Sequence, residues 1–154
     1  MPKQKNKNDG TQPRGRVILY TVAALLALAG LADSTFLTVA YLTGEMDVCG
    51  GSTGCSKVLG SAYARIGGVP IAIFGAIAYY SAFGLATFAA FGHVRARKFF
   101  VPMVWSIFAV TLWLLYVQAF VLHAFCHFCV LSAAIAFLLA GLVVASPPPR
   151  QEVA

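Results

Sequence analysis

Residues 125–145 read FCHFCVLSAAIAFLLAGLVVA. A C-x-x-C, made by Cys126 and Cys129, opens an apolar run of the length a helix needs to cross a hydrocarbon core of about 30 Å. Three runs of the same kind precede it, at about Val17 to Leu42, Val69 to Phe91 and Phe99 to Leu122. The whole composition agrees, with 60% hydrophobic and 10% charged residues among 154, where a soluble domain carries roughly a quarter charged. Lipid offers no partner to a peptide group, and the runs lack the alternation of barrel strands. The chain reads as an all-α membrane protein, a bundle of four transmembrane helices.

The cations set its orientation. Lys3, Lys5, Lys7, Arg14 and Arg16 precede the first run, Arg95, Arg97 and Lys98 cluster in the second linker, and Arg150 follows the last run. Lys57 and Arg65 fall in the first linker. The positive-inside rule places both termini in the cytoplasm and the first and third linkers outside. Such a pattern orients helices and makes no face for nucleic acid. Residues 1–16 then form a basic cytoplasmic segment, 17–145 the membrane domain and 146–154 a polar cytoplasmic tail. The first run is too long for a secretory leader, and no small-residue cleavage site follows it. Pro70 and Pro102 are expected near the starts of the second and third helices, where a missing N–H costs little.

The first linker, about 43–68, is the one substantial segment outside the membrane. It carries Cys49 and Cys55 in DVCGGSTGCSKVL, so all four cysteines fall on the outer side, where disulfides persist. Four cysteines allow three pairings, which spacing does not choose between. Cys126 and Cys129, at i and i+3, share a helix face, and the positive end of the helix dipole there favours a thiolate. Cys49 and Cys55 enclose five residues, three of them glycine. So short a loop gains little from a staple and suits a mobile relay. C-type haem attachment requires a histidine directly after the second cysteine, and Val130 stands there. Two other readings stay open: a zinc site built on His123, Cys126 and Cys129, with or without a loop cysteine, and a non-enzymatic scaffold with structural disulfides.

Other residues invite readings. Asp33, an ionisable group within the first run, serves either proton delivery or a helix–helix hydrogen bond with Ser34 or Thr38. Val58, Leu59, Ala62 and Ile66 recur at helical spacing and predict a short amphipathic segment over 56–66 that caps the bundle from outside. Trp105, Trp113, Tyr79 and Tyr80 read as packing or interfacial residues, and His127 as an interfacial residue or a tuner of the cysteine pair.

The ordered set of motifs resembles the vitamin K epoxide reductase family in its bacterial form. The likeness rests on the C-x-x-C at the outer start of the last helix, the loop pair CGGSTGC after the first, the stretch CSKVLGSAY, and VPIAIFG opening the second helix. It covers about Leu19 to Val144. The resemblance implies a membrane thiol oxidoreductase that makes disulfides and reduces a quinone, menaquinone or ubiquinone. It implies Cys126 and Cys129 as the active-site pair, with Cys129 nearest the quinone, and Cys49 and Cys55 as the shuttle that takes electrons from a thioredoxin-like partner. Ser61 matches a serine bonded to a quinone oxygen; Tyr63, Phe74 and Leu114 fall where the quinone pocket is lined. The resemblance also implies a bacterial inner or plasma membrane, with the active site on the extracytoplasmic side. Vertebrate members have an asparagine at the start of the second helix and a tyrosine four residues after the second cysteine. Here those positions are Ile71 and Ala133, which argues for quinone reduction and against epoxide reduction. Many bacterial members carry a fused thioredoxin-like domain; this chain ends PPPRQEVA, so a separate partner is expected.

Overall fold

The structure is a computed structural model in which residues 12–45 and 53–146 are described, apart from the side chains at 12, 13, 53 and 55. Four helices are long and apolar enough to cross a membrane. α1 covers Gln12–Thr43, α3 Ile71–Ala90, α4 Val94–Tyr116 and α5 His127–Ala145. Between α1 and α3 lie the short helix α2 (Thr53–Leu59), a 3₁₀ turn at Ala62–Ala64 and a two-stranded hairpin. In that hairpin β1 (Arg65–Ile66) pairs antiparallel with β2 (Val69–Pro70), Ile66 opposite Val69. Gly67 and Gly68, with φ of 59° and 86°, supply the two positive dihedrals that so tight a turn demands. Pro70 caps α3 in extended conformation, at the helix start as expected.

The helices extend past the apolar runs. α1 begins at Gln12, so Arg14 and Arg16 are helical. Arg95, Arg97 and Lys98, expected in a linker, lie instead in the opening turns of α4, which starts at Val94. The linker shrinks to a tight reversal: the His93 N–H bonds the Phe88 carbonyl at 3.1 Å and the Gly92 N–H that of Ala89, also 3.1 Å, with Gly92 left-handed. Pro102, expected near the start of a helix, sits well inside α4 for the same reason. A helix has no cause to stop where the hydrocarbon stops, because long cationic side chains reach the headgroups from within it.

Small residues bring α1 and α3 together. Ala23 and Ala27 on α1, and Ala82, Ala86 and Ala89 on α3, have no exposed surface. Alanine and glycine at such spacings let backbones approach, the main source of attraction between helices in lipid. At Gly30 the approach is closest, since a Cβ there would stand 2.5 Å from the Tyr79 ring. Phe100, Val104 and Leu139 complete this core from α4 and α5. Arg97 ties its far end, with its guanidinium 5.5 Å from the centre of the Tyr20 ring and its Nη2 donating to the Ala89 carbonyl at 3.5 Å.

Gly30→Ala is therefore expected to destabilise the bundle by about 1–3 kcal/mol, the usual cost of overpacking. A lowered unfolding midpoint in detergent is the check; an unchanged midpoint counts against so close a contact.

Candidate active site

The site lies at the end of the bundle where α1 and α4 finish and α3 and α5 begin. α4 does not stop cleanly there. Its last turns, Val117–Leu122, widen into a π-helix that ends on His123, left-handed at φ 49°. A non-glycine residue in that conformation is uncommon, and π turns frequently mark functional sites. The Gln118 carbonyl accepts the Ala124 N–H at 3.2 Å, and the Gln118 side chain, 2% exposed, turns back so that Oε1 accepts the Cys126 N–H at 3.1 Å. One residue thus holds the main chain on both sides of the turn that presents the C-x-x-C.

Cys126 is the N-cap of α5 and Cys129 lies in its first turn, so the i, i+3 spacing does bring the two together. Their sulfurs are hydrogen-bonded, and that bond is the main reason the Cys126 thiol is held below its ordinary pKa, at about 7. Burial opposes the shift. The main-chain N–H groups of Cys129 and Phe128 at the helix start favour it, and the charge of Asp33 opposes it. Phe128 is set against Phe36 of α1, ring centres 5.0 Å apart. His127 is exposed and is not among the groups acting on Cys126.

The two sulfurs face different surroundings. Cys126 is fully buried, in a small cluster with Leu37, Val58 and Leu59, beneath α2. Cys129 is half-buried and opens on a cavity of about 290 Å³. Ser61, Tyr63, Phe74 and Leu114 all line that cavity, together with Ile71. The Ser61 hydroxyl proton is already given to the Val58 carbonyl at 2.7 Å, so Ser61 offers the cavity lone pairs. The segment over 56–66 caps the cavity in part as expected: Val58 and Leu59 are buried, whereas Ala62 and Ile66 are exposed because the helix ends at Leu59.

Several assignments need revision. Tyr79 packs in the core against Gly30, as read, and in addition lines the cavity, its hydroxyl 3.1 Å from both the carbonyl and hydroxyl oxygens of Ser132. Gln118 and Ser132 were not anticipated; the signal for Gln118 was a lone amide in an otherwise apolar run. Asp33 is buried but bonds neither Ser34 nor Thr38, as Thr38 donates to the Ser34 carbonyl at 2.8 Å and both Asp33 oxygens lack partners among the described residues. Among the described residues no three His, Cys, Asp or Glu side chains gather as a metal site would require, so His123, Cys126 and Cys129 do not make one. Cys49 lies outside the described residues, and of Cys55 only the backbone, in α2, is described.

The neighbour of Cys55 nevertheless fixes where α2 sits. A Cβ on Gly54 would stand 2.6 Å from the Phe125 carbonyl oxygen, so the backbone before Cys55 lies against the backbone before Cys126. Two cysteine-bearing segments touch at a helix mouth, with a largely apolar cavity behind the second. A family model described as the vitamin K epoxide reductase family matches residues 21–144. The chain belongs to this family. It is therefore a multi-pass membrane oxidoreductase, of a family known to use quinones. No curated protein matches it.

Two outcomes are expected from this geometry. With Cys49 and Cys55 replaced by Ala, ultraviolet thiolate absorbance of the reduced protein rises with a midpoint of about 7, the thiolate present above it and lost as pH falls through it. Cys129→Ala moves that midpoint up by removing the leading stabilising bond; an unmoved midpoint refutes the assignment. In a variant keeping only Cys55 and Cys126, Gly54→Ala slows disulfide formation between them by roughly tenfold or more, since ångström-scale misplacement costs orders of magnitude. Equal rates with and without the substitution would mean that this contact does not set their approach.

Proposed function

We propose that the protein is a quinone-dependent thiol oxidoreductase that makes disulfides for a separate thioredoxin-like partner on the extracytoplasmic side of a bacterial plasma membrane. One observation carries the reading: Cys129 opens on an apolar cavity while its hydrogen-bonded partner Cys126 is sealed from it, beneath the helix that bears Cys55. That division of labour suits a dithiol that receives electrons on one side and gives them up on the other.

The exchange runs through ordinary thiol–disulfide chemistry. A partner thiolate attacks Cys49 of a Cys49–Cys55 disulfide and releases Cys55 as a thiolate. Cys55 attacks Cys126, opening the Cys126–Cys129 disulfide and leaving Cys129 as a thiolate on the cavity wall. The partner's second thiol resolves its own mixed disulfide, and Cys49, set free, attacks Cys55 to close the loop disulfide again. The net change is an oxidised partner and a reduced Cys126/Cys129 pair. A quinone in the cavity supplies the sink, taking two electrons and two protons as that pair returns to the disulfide.

The cavity suits a quinone head group. Its volume, about 290 Å³, is at the lower edge of small-molecule pockets, and its walls are mostly apolar. Phe74 and Leu114 would hold a flat ring, and Tyr63 stands at the cap. The chain contributes position and a dry site; the hydrogen bond that keeps Cys126 toward its thiolate also directs the Cys129 proton toward Cys126. The distribution of cations supports cytoplasmic termini, with Arg14, Arg16, Arg95, Arg97 and Lys98 at the bundle end opposite the cysteines.

Purified protein in detergent, given a permeable dithiol, is expected to reduce quinone, and Cys129→Ala to lose at least a hundredfold of that rate, since covalent relay stops there. Cys49→Ala is expected to block oxidation of a protein partner while sparing the small dithiol. Wild-type protein with no quinone reduction would overturn the proposal, and a fully active Cys49 variant would overturn the order of the relay.

A further inference from the structure

A quinone carbonyl gathers negative charge as it is reduced, and an apolar cavity offers no water to meet it, so a fixed donor has to. The walls hold few candidates. The Ser61 proton is committed to Val58, Ile71 has no donor, and the hydroxyls of Tyr79 and Ser132 are paired with each other. Ser34 and Thr111 also reach the cavity, and Tyr41 and Tyr63 bring hydroxyls to its outer end, at the last turn of α1 and in the cap, where Tyr63 is half-exposed. A helical hydroxyl, however, can turn to the carbonyl one turn back, as Thr35, Thr38 and Ser106 do here. A side-chain amide nitrogen has no such refuge.

Gln118 lines the cavity beside Cys129. Its orientation is fixed by chemistry: the Cys126 N–H is a donor, so the atom facing it, 3.1 Å away, has to be Oε1. Nε2 occupies the other branch of the amide; no hydrogen bond from it is found among the described residues, and unlike the Asp33 oxygens it is not a fully buried orphan, the cavity being the space that Gln118 lines. An amide donor left open in an apolar bundle is costly unless a ligand takes it.

We propose that Gln118 is the donor that binds the quinone, its Nε2–H given to a ring carbonyl oxygen while its Oε1 holds the Cys126 main chain. The inference rests on the quinone reading above and adds to it a residue that bridges the ring and the cysteine pair. Gln118 would then fix the distance between the two, one planar amide setting both ends.

The test compares native protein with Gln118→Leu, which removes both functions, and Gln118→Glu, which keeps an oxygen for the Cys126 N–H and, at alkaline pH, removes the donor. A water-soluble quinone analogue is added at saturation, and the infrared carbonyl stretch of the bound molecule is read alongside its dissociation constant. In native protein one carbonyl band is expected below that of the free quinone. In both variants that band is expected to return toward the free value, with the dissociation constant rising roughly tenfold, the size of one hydrogen bond. A band unchanged in Gln118→Glu would overturn the proposal and leave Gln118 holding Cys126 alone. A native protein showing no bound-quinone band at all would sink the quinone reading itself, and the proposal with it.

Discussion

Between Leu122 and His127 the chain leaves one helix and enters another at the mouth of an apolar bundle, and every N–H it exposes there needs an acceptor. Gln118 answers most of that demand. Its carbonyl takes the Ala124 N–H and its side chain the Cys126 N–H. The π-helix is what makes this geometry reachable, because widening the last turns of α4 brings the carbonyl at 118 over the turn at 123 and 124. The placement of both sulfurs follows from that one satisfied break: Cys126 capping α5, Cys129 a turn further on.

The bundle is uneven along its length. At one end Ala23, Ala27 and Gly30 let α1 lie directly on α3, and no room is left. Toward the other end α1 and α3 stay close, as a Cβ on Gly75 would stand 3.2 Å from the Ser34 hydroxyl oxygen, and the space opens between this pair and α4 and α5, under the segment that carries α2. The cavity is the space so produced. Tyr79 stands at the boundary, its ring pressed by Gly30 and its hydroxyl paired with Ser132. The tight half gives the loose half its floor.

What could be read in the sequence was what is local or set by length. Four crossing helices follow from apolar runs of the right extent, and the C-x-x-C at the start of α5 from spacing alone. The helix ends could not be read, because charge at Arg95, Arg97 and Lys98 reports where the hydrocarbon ends while the backbone coils on. Gln118 escaped notice because its partner is eight residues away across a π turn that apolar periodicity does not announce. Tyr79 differs from Tyr80 only in the direction it faces, and that direction depends on Gly30 in another helix.

The helices differ in length by about half: the α1 and α4 spans run to 30 and 29 residues, those of α3 and α5 to 20 and 19. At about 1.5 Å per residue the short pair matches the hydrocarbon and the long pair exceeds it by about 15 Å. Tyr20, Arg97 and Ala89 meet at one level, so α1 runs about 9 Å beyond it, through Arg16 to Arg14, and α4 about 5 Å, through Arg95 to Val94. The rest of the excess lies at the cysteine end, where Thr43 and Leu122 stand past the first turn of α3. There the cavity is walled by the last turns of the long pair, at Tyr41 and Leu122, and by the first turns of the short pair, at Ile71 and Cys129, so a lipid-soluble carrier would meet it at the rim of the hydrocarbon.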